Sequence, residues 1–304
     1  MMDRVLVLFL DGVGLGDDDP EVNPFVQADL PVVRSLLDGR RPVRANGGFS
    51  TRHASLLPLD AQLGVPGLPQ SGTGQTTLLT GVNAPALLGQ HYGPYPNEPL
   101  RDLLRNSNLF RRLLAAGKPA AFANAYPDRF LDRLKRGTER LSANTRAALL
   151  AGLKLRGPAD LKAGRAVSAL LTNEYWHTWG YDLPELSAAG AGRQLARLSA
   201  DHVLTYFEFW YTDVAGHRQD RDLSLRVLHM LDEFVGGILD TLDLGRSLLL
   251  VISDHGNFED WRTPKHTYNP ALALLAGAGH AALAHRLHSL ADVTPALLAA
   301  LGGL

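Results

Sequence analysis

Val5-Leu6-Val7-Leu8-Phe9-Leu10 is an unbroken apolar run that stops at Asp11-Gly12. A strand with one solvated face alternates apolar and polar residues. A run without alternation is what a parallel strand covered on both faces requires. Two later stretches share the design: Leu204 to Trp210 is followed by Asp213, and Leu248 to Ser253 is closed by Asp254-His255. An amphipathic helix from about Leu223 to Leu242 separates those two. Leu100 to Ala116 also reads as helix and leads into a weaker strand candidate, Ala120 to Ala123. Ala271 to Ala276 reads as one more short strand. Asp292-Val293-Thr294-Pro295 reads as a helix start running into Ala296 to Leu301. Alternation of this kind predicts an α/β fold, a doubly wound, mainly parallel sheet with helices on both faces.

Between about Tyr126 and Ala200 the pattern changes. Arg129, Arg133, Lys135, Arg136, Arg140 and Arg146 fall in one stretch, and Tyr175, Trp176, Trp179 and Tyr181 form an aromatic cluster. The sequence predicts a core from residues 1–125 and 201–304, with 126–200 inserted as a small, mostly helical cap over the sheet edge. The basic stretch reads as a solvated helix face, with a clamp for a substrate phosphate as the competing reading. No internal repeat interrupts the chain.

Composition narrows the chemistry. Of 304 residues, 30 are Lys or Arg and 31 Asp or Glu, for a net charge of −1, so no global field draws the chain to nucleic acid or an anionic membrane. The chain has no cysteine, which leaves oxygen and imidazole nitrogen as the only ligands for a metal. The Val5–Leu10 run is too short for a membrane span, and a cytoplasmic location is the default expectation. Composition gives no reason to expect nucleic acid or a membrane as a partner, and the oligomeric state is not legible.

In open α/β sheets, ligands bind beyond the carboxyl ends of the strands. Asp11, Asp213 and Asp254 follow three strands distant in sequence, so the fold would deliver all three to one edge. A single strand-end Asp is more often a turn cap; three, two of them with a histidine within four residues, argue for a site. Asp213 and His217 are separated by Val214-Ala215-Gly216, so a turn or one helical turn brings both to one ion. Asp254 and His255 are neighbours and converge only on a bent backbone, which Gly256 permits. Two divalent ions roughly 3.5–4 Å apart can clamp both oxygens of an in-line displacement at phosphorus.

The remaining need is a nucleophile. Ser71-Gly72-Thr73-Gly74-Gln75-Thr76-Thr77 reads as a Gly-rich turn entering a helix, where backbone N–H groups and the dipole favour an anion. It is no P-loop, because no Lys follows the glycines. Ser71 is the candidate, with Thr73 two residues on as its rival. The bland alternative is an ordinary serine cap. His91 is a loop residue just past this helix, for which a place away from the pocket is the favoured reading and one facing it the alternative. His53, His177, His202, His229, His280, His285 and His288 fit no ligand spacing and read as surface or packing residues.

The ordered set Leu10-Asp11-Gly12, Ser71-Gly72-Thr73-Gly74-Gln75, Thr212-Asp213-Val214-Ala215-Gly216-His217, Ser253-Asp254-His255-Gly256-Asn257 and Lys265-His266-Thr267 resembles the alkaline phosphatase superfamily of metalloenzymes. Within it, the set is similar to the branch of cofactor-independent phosphoglycerate mutase and phosphopentomutase. The resemblance implies an alkaline-phosphatase-like core and two divalent ions, manganese or zinc, with magnesium a further candidate. It implies that Asp11, Ser71, Asp254 and His255 bind one ion, and Asp213, His217 and His266 the other. Ser71 takes the place of the family residue that becomes phosphorylated. Gln75 stands where the family has a histidine, a departure. The Cys/Ser-x-Pro-x-Arg context of arylsulfatases is absent, which argues against sulfate esters.

The implied activity is metal-dependent phosphoryl transfer, with a small-molecule phosphate ester as the expected partner. The short cap favours hydrolysis of a phosphomonoester or diester. A phosphomutase is the alternative, and a non-catalytic metal-binding protein is the alternative of another class.

Overall fold

The computed structural model describes residues 2–302. Its strands, in chain order, are β1 (Arg4–Leu10), β2 (Phe49–Ser50), β3 (Ala54–Leu59), β4 (Ala120–Phe122), β5 (Asn124–Ala125), β6 (Val167–Ser168), β7 (Leu204–Phe209), β8 (Ser247–Ser253) and β9 (Ala271–Gly277). Seven of them form one sheet in the order β2-β3-β9-β8-β1-β7-β4, while β5 and β6 make a separate parallel pair. The strands β8, β1, β7 and β4 run parallel to one another. On the other flank β9 is antiparallel to β8 and to β3, and β2 is antiparallel to β3. The mostly parallel α/β sheet is therefore the one expected, with an antiparallel flank. The direction of β9 and the existence of β2 and β3 did not show in the sequence. A hydropathy run gives a strand but not its direction.

The apolar run of β1 explains the layering. Leu6, Leu8 and Leu10 join the buried cluster on one face, and Val5, Val7 and Phe9 join the cluster on the other. Helices Ala188–Ser199 and Arg221–Leu239 cover the first face, and their mutual packing is the most extensive between helices. Helices Ser71–Thr80, Leu109–Ala115, Ala143–Leu150 and Val293–Ala300 supply the second cluster. The expected single helix from Leu100 to Ala116 is two helices, Glu98–Asn106 and Leu109–Ala115. The break falls where the Asn108 side chain accepts from the Arg111 N–H and caps a new start.

Segment 126–200 is not helical throughout. It contributes β6, paired with β5, and short helices at Asp128–Lys135, Pro158–Lys162 and Glu174–Thr178. A small apolar cluster of Ala125, Leu161, Ala166, Trp176 and Leu183 lies here. Helices Ala143–Leu150 and Ala188–Ser199, within the same segment, pack on the two faces of the main sheet instead.

Candidate metal centre

Strand register brings the acids together. Leu10 is opposite Phe209 on one side and Ser253 on the other, so the chain leaves β1, β7 and β8 at one level. Asp11 and Asp254 follow their strands directly. After β7 the chain turns at Trp210 into helix Tyr211–Arg218, whose first turn carries Asp213 and whose last carries His217. Thr212 Oγ1 donates to the Asp11 carbonyl at 2.6 Å and fastens this helix to β1. Gly12 has φ +69°, and a Cβ there would stand 2.5 Å from Asp213 Oδ1. The glycine after Asp11 thus serves both the turn and the close approach.

The imidazoles are aimed by backbone carbonyls. His217 Nδ1 donates to the Pro264 carbonyl and His266 Nδ1 to the Pro69 carbonyl, each at 2.6 Å. A carbonyl can only accept, so in both rings Nε2 is the free nitrogen, a tautomer choice typical of metal-binding histidines. These two Nε2 atoms face Asp213, at 3.3 Å from Oδ2 and 3.7 Å from Oδ1. The fully buried His255 stacks on His266 with centroids 3.8 Å apart. Its Nε2 lies 3.0 Å from Ser71 Oγ, 3.4 Å from Asp11 Oδ1 and 3.6 Å from Asp254 Oδ2.

Every residue of the predicted set is therefore in one place. The donor atoms of Asp213, His217 and His266, and those of Asp11, Asp213 and His255, lie within 4.8 Å of one another. Asp213 reaches both groups, where the resemblance gave it to one. Asp11 Oδ1 and Asp254 Oδ2 are buried without a hydrogen-bond partner among the described residues. Buried carboxylate oxygens left so are costly, and an oxygen-and-imidazole donor set suits a divalent cation. The residues fit the group the sequence implies.

The charge balance among these side chains says the same. Burial, then Asp254, pushes the Asp11 carboxyl up to about 8, and burial pushes Asp254 up to about 6. Burial alone would lower His255, but Asp254 and Asp11 raise it to about 10. Burial and the neighbouring His255 lower His266 to about 4. Burial opposes ionisation of Asp213, yet His217 and His255 hold it at about 2.

Thr73 Oγ1 donates to the Gln70 carbonyl at 3.0 Å and accepts from the Tyr92 N–H at 3.2 Å, which ties it to backbone. His91 Nε2 meets the Val65 carbonyl at 3.1 Å rather than the site. In the basic stretch Arg129 lies over Trp179, and Arg133 and Lys135 pair with Glu139 and Asp132. Arg140 lines a cavity of about 420 Å³ that runs from Asp11, Ser71 and Asp213 toward segment 126–200.

Three polar residues of the site gave no signal, or a misleading one. Glu259 is fully buried and accepts from the Gly14 N–H (2.8 Å), the Asn257 N–H (2.9 Å), Asn269 Nδ2 (3.0 Å) and Thr267 Oγ1. It ties the loops that carry Asp11, His255 and His266. Gln75, read as a departure, donates to Asp11 Oδ2 at 3.3 Å and accepts from the Ala143 N–H at 3.2 Å. Glu208, inside β7, faces the cavity with its carboxylate gripped by Ser142, Asn144 and Thr145. An acid in a strand otherwise apolar and aromatic was the available clue.

Residues 180–303 match the model of the metalloenzyme superfamily. Over that part of its length the chain is similar to the alkaline-phosphatase-like metalloenzymes. The 2,3-bisphosphoglycerate-independent phosphoglycerate mutase of Agrobacterium fabrum is 32% identical over 127 residues, 39% of this chain and 25% of that protein. The one from Pyrococcus abyssi is 26% identical over 133 residues, 44% of this chain and 30% of the relative. The matched segment thus spans a quarter to a third of these mutases. Among solved structures, Leishmania mexicana phosphoglycerate mutase, crystallised at low cobalt concentration, superposes with TM-score 0.59 and 10% identity, over 100% of this chain and 96% of that one. A magnesium-bound mutant of TAB5 alkaline phosphatase gives TM-score 0.52 and 11% identity, over 100% and 99%. At such identities the likeness is one of fold.

Proposed function

We propose that this protein is a metalloenzyme that transfers a phosphoryl group through Ser71 with the help of two divalent ions, and that it hydrolyses a small phosphate ester. The position of Ser71 carries this reading. It opens a ten-residue helix, its Oγ lies 3.0 Å from His255 Nε2, and it lines the same cavity as Asp11 and Asp213. Asp11, Ser71, Asp254 and His255 would hold one ion, and Asp213, His217 and His266 the other, with Asp213 also within reach of the first group. When bound, the ions supply charge neutralisation at phosphorus and a more acidic serine hydroxyl.

Ser71 Oγ forms a bond to phosphorus as the bond from phosphorus to the substrate alcohol breaks. The proton that leaves Ser71 Oγ balances the one the alcohol gains. A water oxygen then bonds to the same phosphorus, Ser71 Oγ departs and regains a proton, and inorganic phosphate is released. The N-terminus of helix Ser71–Thr80 presents a favourable field to the phosphate throughout. Segment 126–200 acts as the cap, with helices 143–150 and 188–199 as its anchors on the core. Of its basic stretch, Arg140 is the arginine that lines the cavity, too few cations to hold a departing ester for rebinding. That favours water as acceptor.

The names of the mutase relatives favour phosphomutase as the second reading. A panel of phosphate esters run with manganese, zinc or magnesium separates the two, because a hydrolase gives inorganic phosphate and a mutase a rearranged ester. No product of either kind with any metal would sink the proposal. Among the described residues no helix is long and apolar enough to cross a membrane.

A further inference from the structure

We infer that the cap end of the cavity selects esters of an uncharged, hydroxyl-bearing alcohol with an apolar face, and that Glu208 is the acceptor that recognises the hydroxyl. This rests on the phosphoryl-transfer reading for the phosphate end and on independent geometry for the other end.

Glu208 is 4% exposed, yet it lines the cavity that Ser71 opens into. Its backbone is clamped by Asn124, whose Oδ1 accepts from the Glu208 N–H at 2.8 Å and whose Nδ2 donates to its carbonyl at 2.7 Å. Asn144 Nδ2 donates to Oε1 at 3.0 Å, while Ser142 Oγ and Thr145 Oγ1 donate to Oε2 at 3.2 and 3.3 Å. All three donors are neutral. A carboxylate has about four acceptor sites, so one remains for a ligand. The catalytic scheme above makes no use of this carboxylate.

The surroundings decide what the ligand is. Tyr126 and Phe130 stack at 4.4 Å and, with Trp176 and Trp179, give the cavity an aromatic wall. A C–H face packs well on such rings. A second anion on the substrate would be brought against buried Glu208 with no buried cation to offset it, which is costly. An ammonium group would meet Arg140 at the rim and find the Trp179 ring already covered by Arg129 at 4.2 Å. A neutral alcohol is what both constraints leave. Burial raises Glu208 to about 7, so near neutrality the carboxyl can also donate to a hydroxyl oxygen.

The test reads binding apart from turnover. Metal-loaded Ser71→Ala protein is titrated with glucose 6-phosphate, 3-phosphoglycerate and methyl phosphate, following ligand-induced shifts in Tm, and kcat/KM is measured for the same esters with the unmodified enzyme. Glucose 6-phosphate should bind about tenfold tighter than either of the others. Adding Glu208→Gln or Phe130→Ala should erase most of that preference and leave methyl phosphate binding unchanged. Equal or tighter binding of 3-phosphoglycerate, no binding of any ester, or equal weakening of all three by Glu208→Gln would overturn the inference. If the preference appears but the enzyme releases no phosphate and rearranges no ester, the phosphoryl-transfer reading fails and this one stands.

Discussion

Ser71 Oγ and His255 Nε2 lie 3.0 Å apart although 184 residues separate them in the chain. Two independent pieces of local structure make that contact. The Ser71 helix starts on a loop whose Pro69 carbonyl holds His266, and β8, in parallel register with β1, ends two residues before His255. Nucleophile and ligand cluster are thus set by the same backbone.

That relationship bears on the choice between Ser71 and Thr73. Thr73 is engaged with the backbone of Gln70 and Tyr92, so its hydroxyl serves the loop. Ser71→Ala should lower kcat by several orders of magnitude with metal content largely kept. Thr73→Ala should keep turnover within about tenfold and cost roughly 1–2 kcal/mol of stability through the lost hydrogen bonds. Steady-state kinetics with elemental analysis of both variants checks this, and a dead Thr73→Ala beside an active Ser71→Ala would reverse it.

Metal loading makes a second prediction. The protein should take up two divalent ions per chain. Asp213→Ala should lose both, because Asp213 reaches both donor groups, whereas His217→Ala should lose one. Elemental analysis after dialysis gives the count. Two ions retained by Asp213→Ala would show that the shared position of Asp213 has no role in binding.

Glu259 should behave as a positioning residue. Its four hydrogen bonds reach Gly14, Asn257, Thr267 and Asn269, each close to a ligand in sequence. Glu259→Ala leaves those donors buried and unmet, at a cost of roughly 3 kcal/mol or more. Glu259→Gln can accept through one oxygen only, and should weaken metal affinity about 10–100-fold while the protein stays folded. Metal titration against circular dichroism separates the two effects; unchanged affinity in a folded Glu259→Gln would count against the role.

The contrast between Asp254 and Glu259 shows where sequence reading succeeds. Asp11, Asp213 and Asp254 were legible because each follows an apolar run, and the fold places the ends of such runs on one edge. His217 and His255 were legible from their spacing to those acids. Gln75 meets Asp11 64 residues away, Glu208 meets Asn144 64 residues away, and Glu259 joins its near neighbours Asn257, Thr267 and Asn269 to Gly14, 245 residues away. No local period encodes a contact of that kind. The antiparallel direction of β9 was hidden for the same reason, since its pairing with β8 and β3 is a tertiary choice.

The pH dependence of the metal-free protein follows from the burial of these groups. Asp11 at about 8 and Glu208 at about 7 hold protons in the folded state that an unfolded carboxyl gives up near 4. A group whose folded state binds the proton more tightly loses stability as pH rises from the unfolded value through the folded one. His255, raised to about 10 chiefly by Asp254 against the effect of burial, and His217, raised by its hydrogen bond to Asp213, act in the same direction above about 6.5. His266, lowered to about 4 by burial, acts the opposite way, but only below about 6.5. Between pH 6.5 and 8 Asp11, Glu208, His217 and His255 therefore do not oppose one another, and the Tm of chelator-treated protein should fall as pH rises. Divalent ions bind the deprotonated ligands, so the gain in Tm on adding manganese or zinc should grow over the same interval. Glu208→Gln removes one of the contributing protons without touching a ligand, and should flatten the chelated profile while leaving the metal-induced gain in place. Thermal melts at pH 6.5, 7.2 and 8 with and without metal decide it: a chelated Tm that rises with pH would mean the cluster is not buried as this structure has it.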